Sequence, residues 1–525
     1  MADEGRAFDV VVIGGGITGA AAVRDLALRG IRAALYEKGD FSSGTTSKTS
    51  RLIHGGLRYL EGFHVGLVAE SLRERDWLAA RLPHLLRPVP ILIPVYRGDR
   101  RGMATVGIGM RLYDLLARRK ATPRYGTVPA AEAARRVRGL RAEGLAGGAV
   151  FYDYQILVPE RLVVENLLSA AVPGKGRPAA VVRNHAAVEE IAFSAPAAAP
   201  GEAEFRLRVR DARTGASEAV LARAVINATG PWADRTRRRA GLEGDILYPT
   251  KGAHVVLPGV TSHALFVASA ADDRMFYILP FDGRLLVGTT DTAYSDDPDG
   301  ACAAPEDVAY LLSGARRVLP GSPLFREAPL YTYAGVRPLL KGKGPTESHL
   351  PRKHGVFREG PGGRFVTVAG GKLTTFRQMA ADAVDAACDA LGRTGTCVSA
   401  DEPLPGEIGG GDEGTEAFVR ELAETRRVPD ALCRHLVSLY GRRAGRVLEI
   451  AGENPDLSRP LSPASRDIAA QAVIAAQAVL AAREEWAAFP EDAVLRRMHL
   501  GITAERGASA LPAVARLLAA QSPSG

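Results

Sequence analysis

The N-terminal part of the chain alternates apolar runs with glycine in a pattern that predicts a βαβ unit. The β-branched run Phe8–Ile13 is typical of a strand buried in a parallel sheet, and it stops at glycine. An alanine-rich, helix-favouring stretch follows at Ala20–Leu28, and a second apolar run occupies Ile31–Tyr36. Strand, helix and strand in this order form one parallel unit.

The turn between the first strand and the helix carries the pattern G-x-G-x-x-G at Gly14, Gly16 and Gly19. Missing side chains allow a tight turn, close approach of a pyrophosphate and tight packing of helix on strand. The helix N-terminus then faces the phosphates. Glu37 ends the second strand, where a carboxylate can bind an adenosine ribose. The unit predicts a dinucleotide site and does not choose between NAD and FAD.

Two later apolar runs also end in glycine. Residues Ala224–Gly230 end in A-T-G, which resembles the second fingerprint of two-dinucleotide-binding-domain flavoproteins and favours FAD. Residues Phe365–Thr375 read as strand, glycines and helix start, with Thr374 or Thr375 as the cap. Backbone N–H groups at that terminus can stabilise negative charge on the pyrimidine edge of a reduced flavin. For each run the alternative is a buried strand with a plain glycine turn.

The C-terminal part changes to a helical pattern. Residues 403–414 form a glycine-rich linker, and a new domain is predicted to start near 415. Amphipathic or alanine-rich helices are predicted at 416–425, 429–440, 465–486 and 491–501. A helical cap and a contact between the subunits of a homodimer are alternative uses of this part.

Composition and charge narrow the class. The 525 residues include 67 Lys plus Arg against 59 Asp plus Glu, a net charge of +8, in ordinary globular proportions. This charge suits anionic lipid, a phosphorylated substrate or nucleic acid, but no nucleic-acid motif is visible, so no nucleic-acid partner is expected. The four cysteines lie far apart without a C-x-x-C pair. We therefore expect no metal site, a reducing compartment, no cleaved signal and no transmembrane helix.

Several motifs together make the resemblance specific. The run from Gly44 to Glu61 contains S-R-L-I-H-G-G-L-R-Y-L-E, and N-A-T-G-P-W follows at 227–232. Further along are K-G-A-H at 251–254, G-T-T-D at 288–291, Y-A-G-V-R-P-L at 333–339 and G-G-K-L-T-T at 370–375. In content, order and spacing these resemble the FAD-dependent glycerol-3-phosphate dehydrogenase family, over about residues 8–380 and more weakly beyond.

The resemblance implies an α/β fold with three domains. A discontinuous Rossmann-like FAD-binding domain is expected at 1–85, 150–232 and 356–400. A substrate domain built on an antiparallel sheet is expected at 86–149 and 233–355, and a C-terminal α-helical domain at 415–525.

The resemblance also implies which residues hold FAD. They belong to the glycine turns, the polar run after residue 44 and the strands beside them. The expected cofactor-binding residues are Gly14, Gly16, Thr18, Gly19, Glu37, Lys38, Thr45, Thr46, Ser47, Thr49, Ser50, Leu52, His54, Gly55, Gly56, Val188, Gly230, Trp232, Gly371, Lys372, Leu373 and Thr374.

The implied reaction is oxidation of sn-glycerol 3-phosphate to dihydroxyacetone phosphate by hydride transfer from C2 to flavin N5. A dianionic phosphate calls for arginines, whose guanidinium fork binds two phosphate oxygens at once. The expected substrate-binding residues are Arg58, Tyr59, His254, Thr290, Arg337 and Arg352. His254 is the candidate general base, with Arg337 and Lys372 as further catalytic candidates. Alternatively, Arg337 stabilises the developing alkoxide and water takes the proton.

The implied electron acceptor is a membrane quinone, which places the protein in the cytoplasm at the inner face of the cell membrane. The apolar runs Val89–Tyr96 and Met110–Leu116 lie among basic residues, a combination that suits an anionic lipid surface. The flanking cations are Arg97, Arg100, Arg101, Arg118, Arg119 and Lys120. Alternatively, Ile91–Val95 is a buried strand. The rival functions are an oxygen-using flavin oxidase of glycerol 3-phosphate or of a small amine or amino acid, and a flavin-binding scaffold or tRNA-interacting protein without catalysis.

Overall fold

The computed structural model describes residues 6–117, 122–174, 176–193, 204–320, 322, 325, 327–342, 353–462 and 472–521. Its strands, in chain order, are β1 (Arg6–Ile13), β2 (Ala33–Tyr36), β3 (Leu52–Ile53), β4 (Leu86–Tyr96), β5 (Gly126–Pro129), β6 (Leu145–Ile156), β7 (Val181–Arg183), β8 (Ala186–Phe193), β9 (Phe205–Asp211), β10 (Ser217–Asn227), β11 (Leu247–Pro258), β12 (Ala264–Ala268), β13 (Met275–Phe281), β14 (Arg284–Gly288), β15 (Thr292–Ala293), β16 (Tyr331–Leu340), β17 (Gly355–Glu359) and β18 (Phe365–Ala369).

The α-helices complete the described elements. They are α1 (Ile17–Leu28), α2 (Val65–Arg81), α3 (Met103–Leu116), α4 (Ala130–Arg136), α5 (Glu160–Ala171), α6 (Ala233–Arg239), α7 (Pro305–Val318), α8 (Phe376–Ala390), α9 (Gly411–Arg426), α10 (Asp430–Tyr440), α11 (Ala444–Glu453), α12 (Ala475–Glu484), α13 (Pro490–Arg496) and α14 (Leu511–Ala519). None of these helices has both the length and the apolar character that crossing a bilayer requires.

The chain divides into two compact units. Unit 1 comprises Met1–Ser47, Val158–Pro249 and Arg337–Gly525, and unit 2 comprises Lys48–Leu157 and Thr250–Val336.

Unit 1 is built on an eight-stranded sheet whose main path runs β17-β18-β10-β1-β2-β7. The strands from β18 to β7 are parallel, and β17 joins them antiparallel. The β-branched residues of β1 are buried, because helix α1 packs against this strand and its residues Val11 and Ile13 lie in an apolar cluster with residues of β8 and β9. Strand β9, which pairs with β10, instead buries alternate residues, as a strand with one wet face does. The predicted βαβ unit and α/β fold are confirmed.

Unit 2 is built on a ten-stranded sheet whose main path runs β15-β11-β14-β13-β12-β4-β6-β3. Most of its pairings are antiparallel, with a single parallel contact between β12 and β4 in the described part. Helix α7 packs its apolar stripe, with Leu311, Ala315 and Val318, against the inward residues of this sheet. The sheet expected for the substrate domain is therefore present.

The C-terminal helices largely follow the sequence pattern. Helices α9 and α10 lie at the first two predicted positions, but α9 begins at Gly411, inside the predicted linker. The helix predicted at 465–486 is shorter, since α12 begins at Ala475 and residues 463–471 lie outside the described part. Helix α13 begins at Pro490, which cannot continue a preceding helix but suits the first helical turn.

The compact units group residues differently from the predicted three domains, which stay a prediction. Helix α2 falls in the predicted FAD-binding domain but lies in unit 2, where Arg75 forms an ion pair with Asp153 of β6 at 2.7 Å. The C-terminal helices group with unit 1, where Arg161 of α5 pairs with Glu485 at 2.7 Å. All four side chains are buried, so each pairing ties its segment to the unit.

Candidate functional site

The first glycine turn in unit 1 has no room for side chains at Gly14 and Gly19. Gly14 has φ +108°, and a Cβ there would lie 2.7 Å from the carbonyl oxygen of Ala228. A Cβ on Gly19 would lie 1.9 Å from the carbonyl oxygen of Gly14. The turn between β1 and α1 is thus packed against the A-T-G segment after β10, as the motif predicts.

Gly16 is the one glycine of the motif with space beside it. It precedes α1 at the N-cap, and a Cβ on this residue would have Thr46 Oγ1 as its nearest neighbour, at 3.4 Å. Thr46 Oγ1 accepts the backbone N–H of Ile17 at 3.1 Å. Thr18 lies in the first turn of α1. This helix end offers backbone N–H groups and open space to an anion such as pyrophosphate.

Glu37 follows β2 beside this turn. Its carboxylate accepts the backbone N–H of Gly15 at 2.7 Å and that of Gly39 at 2.9 Å. Burial raises the pKa of the Glu37 carboxyl, and the two N–H donors only partly oppose it. The side chain is therefore fixed at the end of the strand, where an adenosine ribose is expected.

Trp232 and Lys38, also in unit 1, contact each other. The Lys38 ammonium lies 4.3 Å from the centre of the Trp232 ring, within cation–π range. Among the described residues, the buried indole Nε1–H of Trp232 meets no acceptor. A buried donor of this kind fits a polar ligand. A Cβ on Gly44 would lie 3.1 Å from the same ring, so the polar run after residue 44 is packed against it.

The rest of that polar run begins with a short 3-10 helix. Thr45–Lys48 form this turn, in which Ser47 Oγ donates to the carbonyl of Gly44 at 3.2 Å. Thr49, Ser50 and Leu52 come next, in unit 2.

Gly370 and Gly371 form the third glycine turn, after β18, with φ +82° and +73°. A Cβ on Gly371 would lie 2.4 Å from the sulfur of Met379. A 3-10 turn at Leu373–Thr375 then leads into α8. Lys372 precedes this turn and is half-buried, and Thr374 within it is buried.

The capping prediction at this turn is half right. Thr375 occupies the N-cap position of α8, but its side chain makes no cap hydrogen bond. Its hydroxyl donates instead to the carbonyl of Lys372, at 3.4 Å. The 3-10 turn points the hydroxyl back toward the turn and away from the first N–H groups of the helix.

The two other predicted cofactor residues of unit 1 are Val188 and Gly230. Val188 is a buried residue of β8 within the apolar cluster of the sheet. Gly230 has φ +57°, and no atom of the residues that the structure describes lies within 4 Å of its Cβ position, so the A-T-G turn is open to them on that side. The packed turns, the open helix end and the unmatched indole donor together fit a dinucleotide.

In unit 2, His254 of β11 is 2% exposed and contacts Ser50 and Tyr333. Its Nε2 lies 2.9 Å from Ser50 Oγ. Its ring stacks on Tyr333 with centroids 4.7 Å apart and planes 16° apart. The Tyr333 hydroxyl donates to the carbonyl of Thr49 at 2.9 Å. The predicted base is thus fixed in place by residues from two distant segments.

Thr290 lies beside this histidine on the strand side. Its Oγ1 accepts the backbone N–H of Ala253 at 2.9 Å. Lys251 of the same K-G-A-H motif pairs with Asp307 of α7 at 2.7 Å. The motif lysine therefore anchors α7, while its histidine and neighbouring threonine share one region of unit 2.

The loop with the H-G-G-L-R-Y motif carries five predicted site residues, namely His54, Gly55, Gly56, Arg58 and Tyr59. His54 follows β3 and meets the edge of the Tyr277 ring at 6.4 Å between centroids. Gly56 has φ +78° and starts the 3-10 turn Leu57–Leu60. On this turn Arg58 is exposed and Tyr59 is half-buried. An exposed guanidinium is available to an anion.

Arg337 and Arg352 complete the predicted arginines. Arg337 is a half-buried residue of β16, at the start of the last segment of unit 1. Arg352 lies outside the described residues, as do Arg118, Arg119 and Lys120.

The prediction that Val89–Tyr96 faces a lipid surface is wrong. This run forms most of β4, where Ile91, Leu92 and Val95 are buried in the sheet of unit 2. The alternative of a buried strand is the one the structure has, because β4 pairs with β6 along its length.

Sequence reasoning misses two features of the site. Ser50 is predicted to bind the cofactor, yet its hydroxyl lies within hydrogen-bond distance of His254. Tyr333 opens the Y-A-G-V-R-P-L motif but has no role in the sequence-based prediction, although an aromatic residue in a matched motif is a signal that points to one.

One group of described residues brings metal-type ligand atoms together, namely Asp40, His185 and Asp492. The Asp40 carboxylate is already bound by the guanidinium groups of Arg496 and Arg497. His185 Nε2 lies 2.9 Å from Asp492 Oδ2. Cations and hydrogen-bond partners thus fill this cluster, which links the segment after β2 to the C-terminal helices.

Comparisons with known proteins agree with this architecture. Residues 9–377 match the family described as FAD dependent oxidoreductase, and residues 397–522 match the C-terminal domain of alpha-glycerophosphate oxidase. A glycerol-3-phosphate dehydrogenase of Synechocystis sp. is 36% identical, over 90% of this chain and 86% of its own. An aerobic glycerol-3-phosphate dehydrogenase of Staphylococcus saprophyticus is 33% identical, over 85% of this chain and 80% of its own.

A solved structure extends the match to the whole chain. The glycerol-3-phosphate dehydrogenase of Bacillus halodurans complexed with FAD superimposes with a TM-score of 0.76 at 25% identity, covering 99% of this chain and 92% of its own. The sheet and glycine turns of unit 1 are those of an FAD-dependent oxidoreductase, and FAD is its cofactor. Within that class, the chain belongs to the glycerol-3-phosphate dehydrogenase family.

Proposed function

We propose that this protein oxidises sn-glycerol 3-phosphate to dihydroxyacetone phosphate and passes the electrons to a membrane quinone. The observation that carries the proposal is Arg58, an exposed arginine on a tightly fixed turn of the motif that this chain has in common with the family. The names of two relatives that cover most of the chain support the same substrate.

The substrate contacts follow from the chemistry of a phosphate ester. Arg58 and Arg337 bind the phosphate, since a guanidinium offers two parallel donors to its oxygens. Arg352 has the same role in this proposal. Tyr59 and Thr290 bind the hydroxyl groups of the glycerol. Lys372, after the third glycine turn, neutralises negative charge that develops during the reaction.

The C2 hydroxyl must lose its proton as C2 loses hydride. His254 takes this proton at Nε2, where Ser50 Oγ lies 2.9 Å away and can transmit it. Stacking on Tyr333 holds the imidazole plane during the transfer. When bound, FAD supplies a hydride acceptor at N5.

The experiment that tests the reaction is anaerobic mixing of the purified flavoprotein with sn-glycerol 3-phosphate. We expect loss of the absorbance of the oxidised flavin with this substrate, and none with glycerol or sarcosine. Reduction by sarcosine alone would favour the amine-oxidase alternative. No reduction by any of them, with flavin bound, would favour a flavin-binding scaffold.

The acceptor has two candidates because the C-terminal match is to a domain of an oxidase. If quinone is the acceptor, the reduced protein is reoxidised faster by a soluble ubiquinone analogue than by air, and turnover yields little peroxide. If oxygen is the acceptor, peroxide forms in equal amount to dihydroxyacetone phosphate. Measuring peroxide and product in the same reaction separates the two.

A quinone acceptor requires contact with the membrane, and the outer face of α3 offers a surface for it. Ile108 and Leu115, two turns apart on this helix, are 66% and 76% exposed, with Arg111 exposed between them. Phe63, in the loop before α2, is 88% exposed. Exposed apolar side chains with a cation suit an anionic lipid surface. We propose that these residues bind the inner face of the cell membrane.

Sedimentation with phosphatidylglycerol vesicles tests this surface. Replacing Ile108 and Leu115 by serine is expected to abolish co-sedimentation, while Val260→Ser, which removes an equally exposed apolar residue elsewhere in unit 2, is expected to leave it intact. Charge reversal at Arg118, Arg119 and Lys120 tests the adjacent basic segment. Unchanged binding by all these variants would remove this surface from consideration.

A further inference from the structure

Tyr113 of α3 is fully buried and connects the loop that carries Arg58 to a buried carboxylate. The backbone N–H of Gly55 donates to Tyr113 Oη at 2.8 Å. The same oxygen lies 2.9 Å from both carboxylate oxygens of Asp153. A hydroxyl has one proton and a carboxylate only accepts, so Tyr113 donates to Asp153 and accepts from Gly55. The directions of both hydrogen bonds are therefore fixed.

Asp153 is held in turn by Arg75 of α2. The guanidinium donates to the Asp153 carboxylate at 2.7 Å and to Asp76 at 2.7 Å. Arg75 and Asp153 are 0% and 1% exposed, so neither can exchange its partner for water. Burial, reinforced by the Asp153 charge, raises the pKa of the Tyr113 hydroxyl well above 10. Tyr113 thus keeps its proton and remains a donor to Asp153.

The loop that contains Gly55 packs closely against Tyr113 and Leu72, with no space for a side chain at Gly55. A Cβ on Gly55 would lie 2.5 Å from both Tyr113 Oη and Leu72 Cδ2. The next residue, Gly56, turns the chain with a positive φ into the 3-10 turn of Leu57–Leu60. A displacement of the Gly55 backbone would therefore move the turn that carries Arg58 and Tyr59.

We propose that Tyr113 is a positioning residue which, held by Asp153 and Arg75, fixes the Gly55 amide and so sets where the Arg58 guanidinium meets the substrate phosphate. The inference rests on the proposed function. Tyr113 acts through the loop, so its loss is expected to weaken phosphate binding more than it slows the chemical step.

The test is Tyr113→Phe, which keeps the ring and removes only the hydroxyl. The matched control is Tyr440→Phe in unit 1, because Tyr440 is also buried and its hydroxyl accepts from Gln477 and donates to the carbonyl of Arg497. The measurements are KM for sn-glycerol 3-phosphate, kcat, the melting temperature, and the Kd of inorganic phosphate from the spectrum of the bound flavin. We expect KM and the phosphate Kd to rise about tenfold in Tyr113→Phe, with kcat far less changed.

The control separates positioning from stability. Both variants are expected to lower the melting temperature, but Tyr440→Phe should leave KM and the phosphate Kd at their wild-type values. Equal KM values in Tyr113→Phe and Tyr440→Phe would overturn the inference.

Asp153→Asn is the second variant, which also covers the case that Tyr113→Phe does not fold. It keeps an acceptor for Tyr113 and removes the charge that holds Arg75, so we expect a smaller rise in KM and in the phosphate Kd. If KM and the phosphate Kd of Asp153→Asn equal those of wild type, the inference that Asp153 holds Tyr113 in place is overturned. It is also overturned if the effects of Tyr113→Phe and Asp153→Asn simply add in the protein that carries both substitutions. If wild-type protein binds phosphate but does not oxidise sn-glycerol 3-phosphate, the proposed function fails, while the phosphate Kd of the variants still tests whether Tyr113 positions Arg58.

Discussion

Ser50 Oγ and His254 Nε2 lie 2.9 Å apart, although 204 positions separate the two residues in the chain. The serine comes from the polar run that follows the first nucleotide-binding unit, and the histidine from β11. The stacked Tyr333 ring also restricts the orientation of the imidazole that Ser50 contacts. The base of the proposed reaction therefore depends on a residue that the sequence motif assigns to the cofactor.

Ser50→Ala removes this partner and is expected to lower kcat about three- to tenfold, since an oriented neutral hydrogen bond contributes about 1 kcal/mol. Ser50→Thr keeps a hydroxyl and is expected to retain most of the activity. Stopped-flow measurement of flavin reduction gives the rate of the step itself. Ser438→Ala, which removes a hydroxyl that donates to the carbonyl of His435 in α10, is the control and should reduce flavin at the wild-type rate. Equal rates in both alanine variants would exclude a role for the Ser50 contact.

Arg58→Gln is expected to raise KM for sn-glycerol 3-phosphate by roughly 10- to 150-fold, because charge-assisted hydrogen bonds contribute about 1.5–3 kcal/mol. The KM of Arg58→Lys should lie between those of wild type and Arg58→Gln, since an ammonium keeps the positive charge but lacks the planar fork of a guanidinium. Bound flavin should stay at the wild-type amount, which absorbance of the purified protein reports. Arg206→Gln, at an exposed position of β9, controls for the loss of one surface charge. A KM for Arg58→Gln equal to that of Arg206→Gln would contradict the assignment.

The sequence predicts unit 1 well because its signals are local. The strand, the glycines at 14 and 19 and the following helix constrain one another within a short stretch, and each glycine is required by backbone contacts the structure shows. Four of the C-terminal helices, α9, α10, α12 and α13, are predicted for a similar reason, since a repeat of 3.6 residues is visible within each of them, whereas α11 and α14 are not predicted. The predicted ends of these helices are less accurate, since α9 begins earlier and α12 begins later than the sequence pattern predicts.

The surroundings of His254 were not predictable in the same way. They depend on the pairing of β11 with β14 and on Tyr333 of β16, which are contacts between segments far apart in the chain. The Tyr113–Asp153 hydrogen bonds join α3 to β6 and have no local pattern at all. Motif resemblance identified the candidate residues, whereas only the three-dimensional structure shows which side chains hold them.

Gly16→Ala is expected to fold but to bind FAD more weakly than wild type. Its backbone conformation, φ −76° and ψ −178°, is open to alanine, and the nearest atom to the added methyl would be 3.4 Å away. The methyl would occupy the space beside the helix end where pyrophosphate is expected. Overpacking by one methyl costs about 1–3 kcal/mol, so FAD affinity should fall roughly 5- to 150-fold.

The measurements for this variant are flavin content after dialysis and the melting temperature of the apoprotein. Gly445→Ala, in helix α11 with only a distant neighbour at 3.9 Å, is the control and should keep its flavin. A Gly16→Ala protein with full flavin content would show that the turn leaves more room for the cofactor than proposed.

Asp40 is expected to make stability depend on pH in the acid range. Burial raises the pKa of its carboxyl, but the charges of Arg497 and Arg496 outweigh burial and lower the pKa from 3.8 to about 2. A carboxyl whose pKa is lower in the folded state stabilises that state above its unfolded pKa, and the contribution is lost as pH falls toward the folded pKa. A pKa difference of this size corresponds to about 2 kcal/mol of stability, fully present at neutral pH and lost between about pH 5 and pH 2.

Asp40→Asn should therefore unfold at a lower temperature than wild type at pH 7, because Arg497 is left buried beside a neutral amide. The difference should narrow as the pH is lowered from about 5 to about 3, because the Asp40 carboxyl of the unfolded wild type takes up a proton in this range and the contribution of the ionised carboxylate to folding shrinks. Calorimetry at several pH values measures both melting temperatures. Asp456→Asn removes a carboxylate paired with Arg459 on the surface, where both side chains are more than half exposed, and should follow the wild-type curve. If the melting temperatures of Asp40→Asn and wild type stay the same distance apart down to about pH 3, the ion pair does not control acid stability, because loss of the Asp40 contribution must bring the two melting temperatures together.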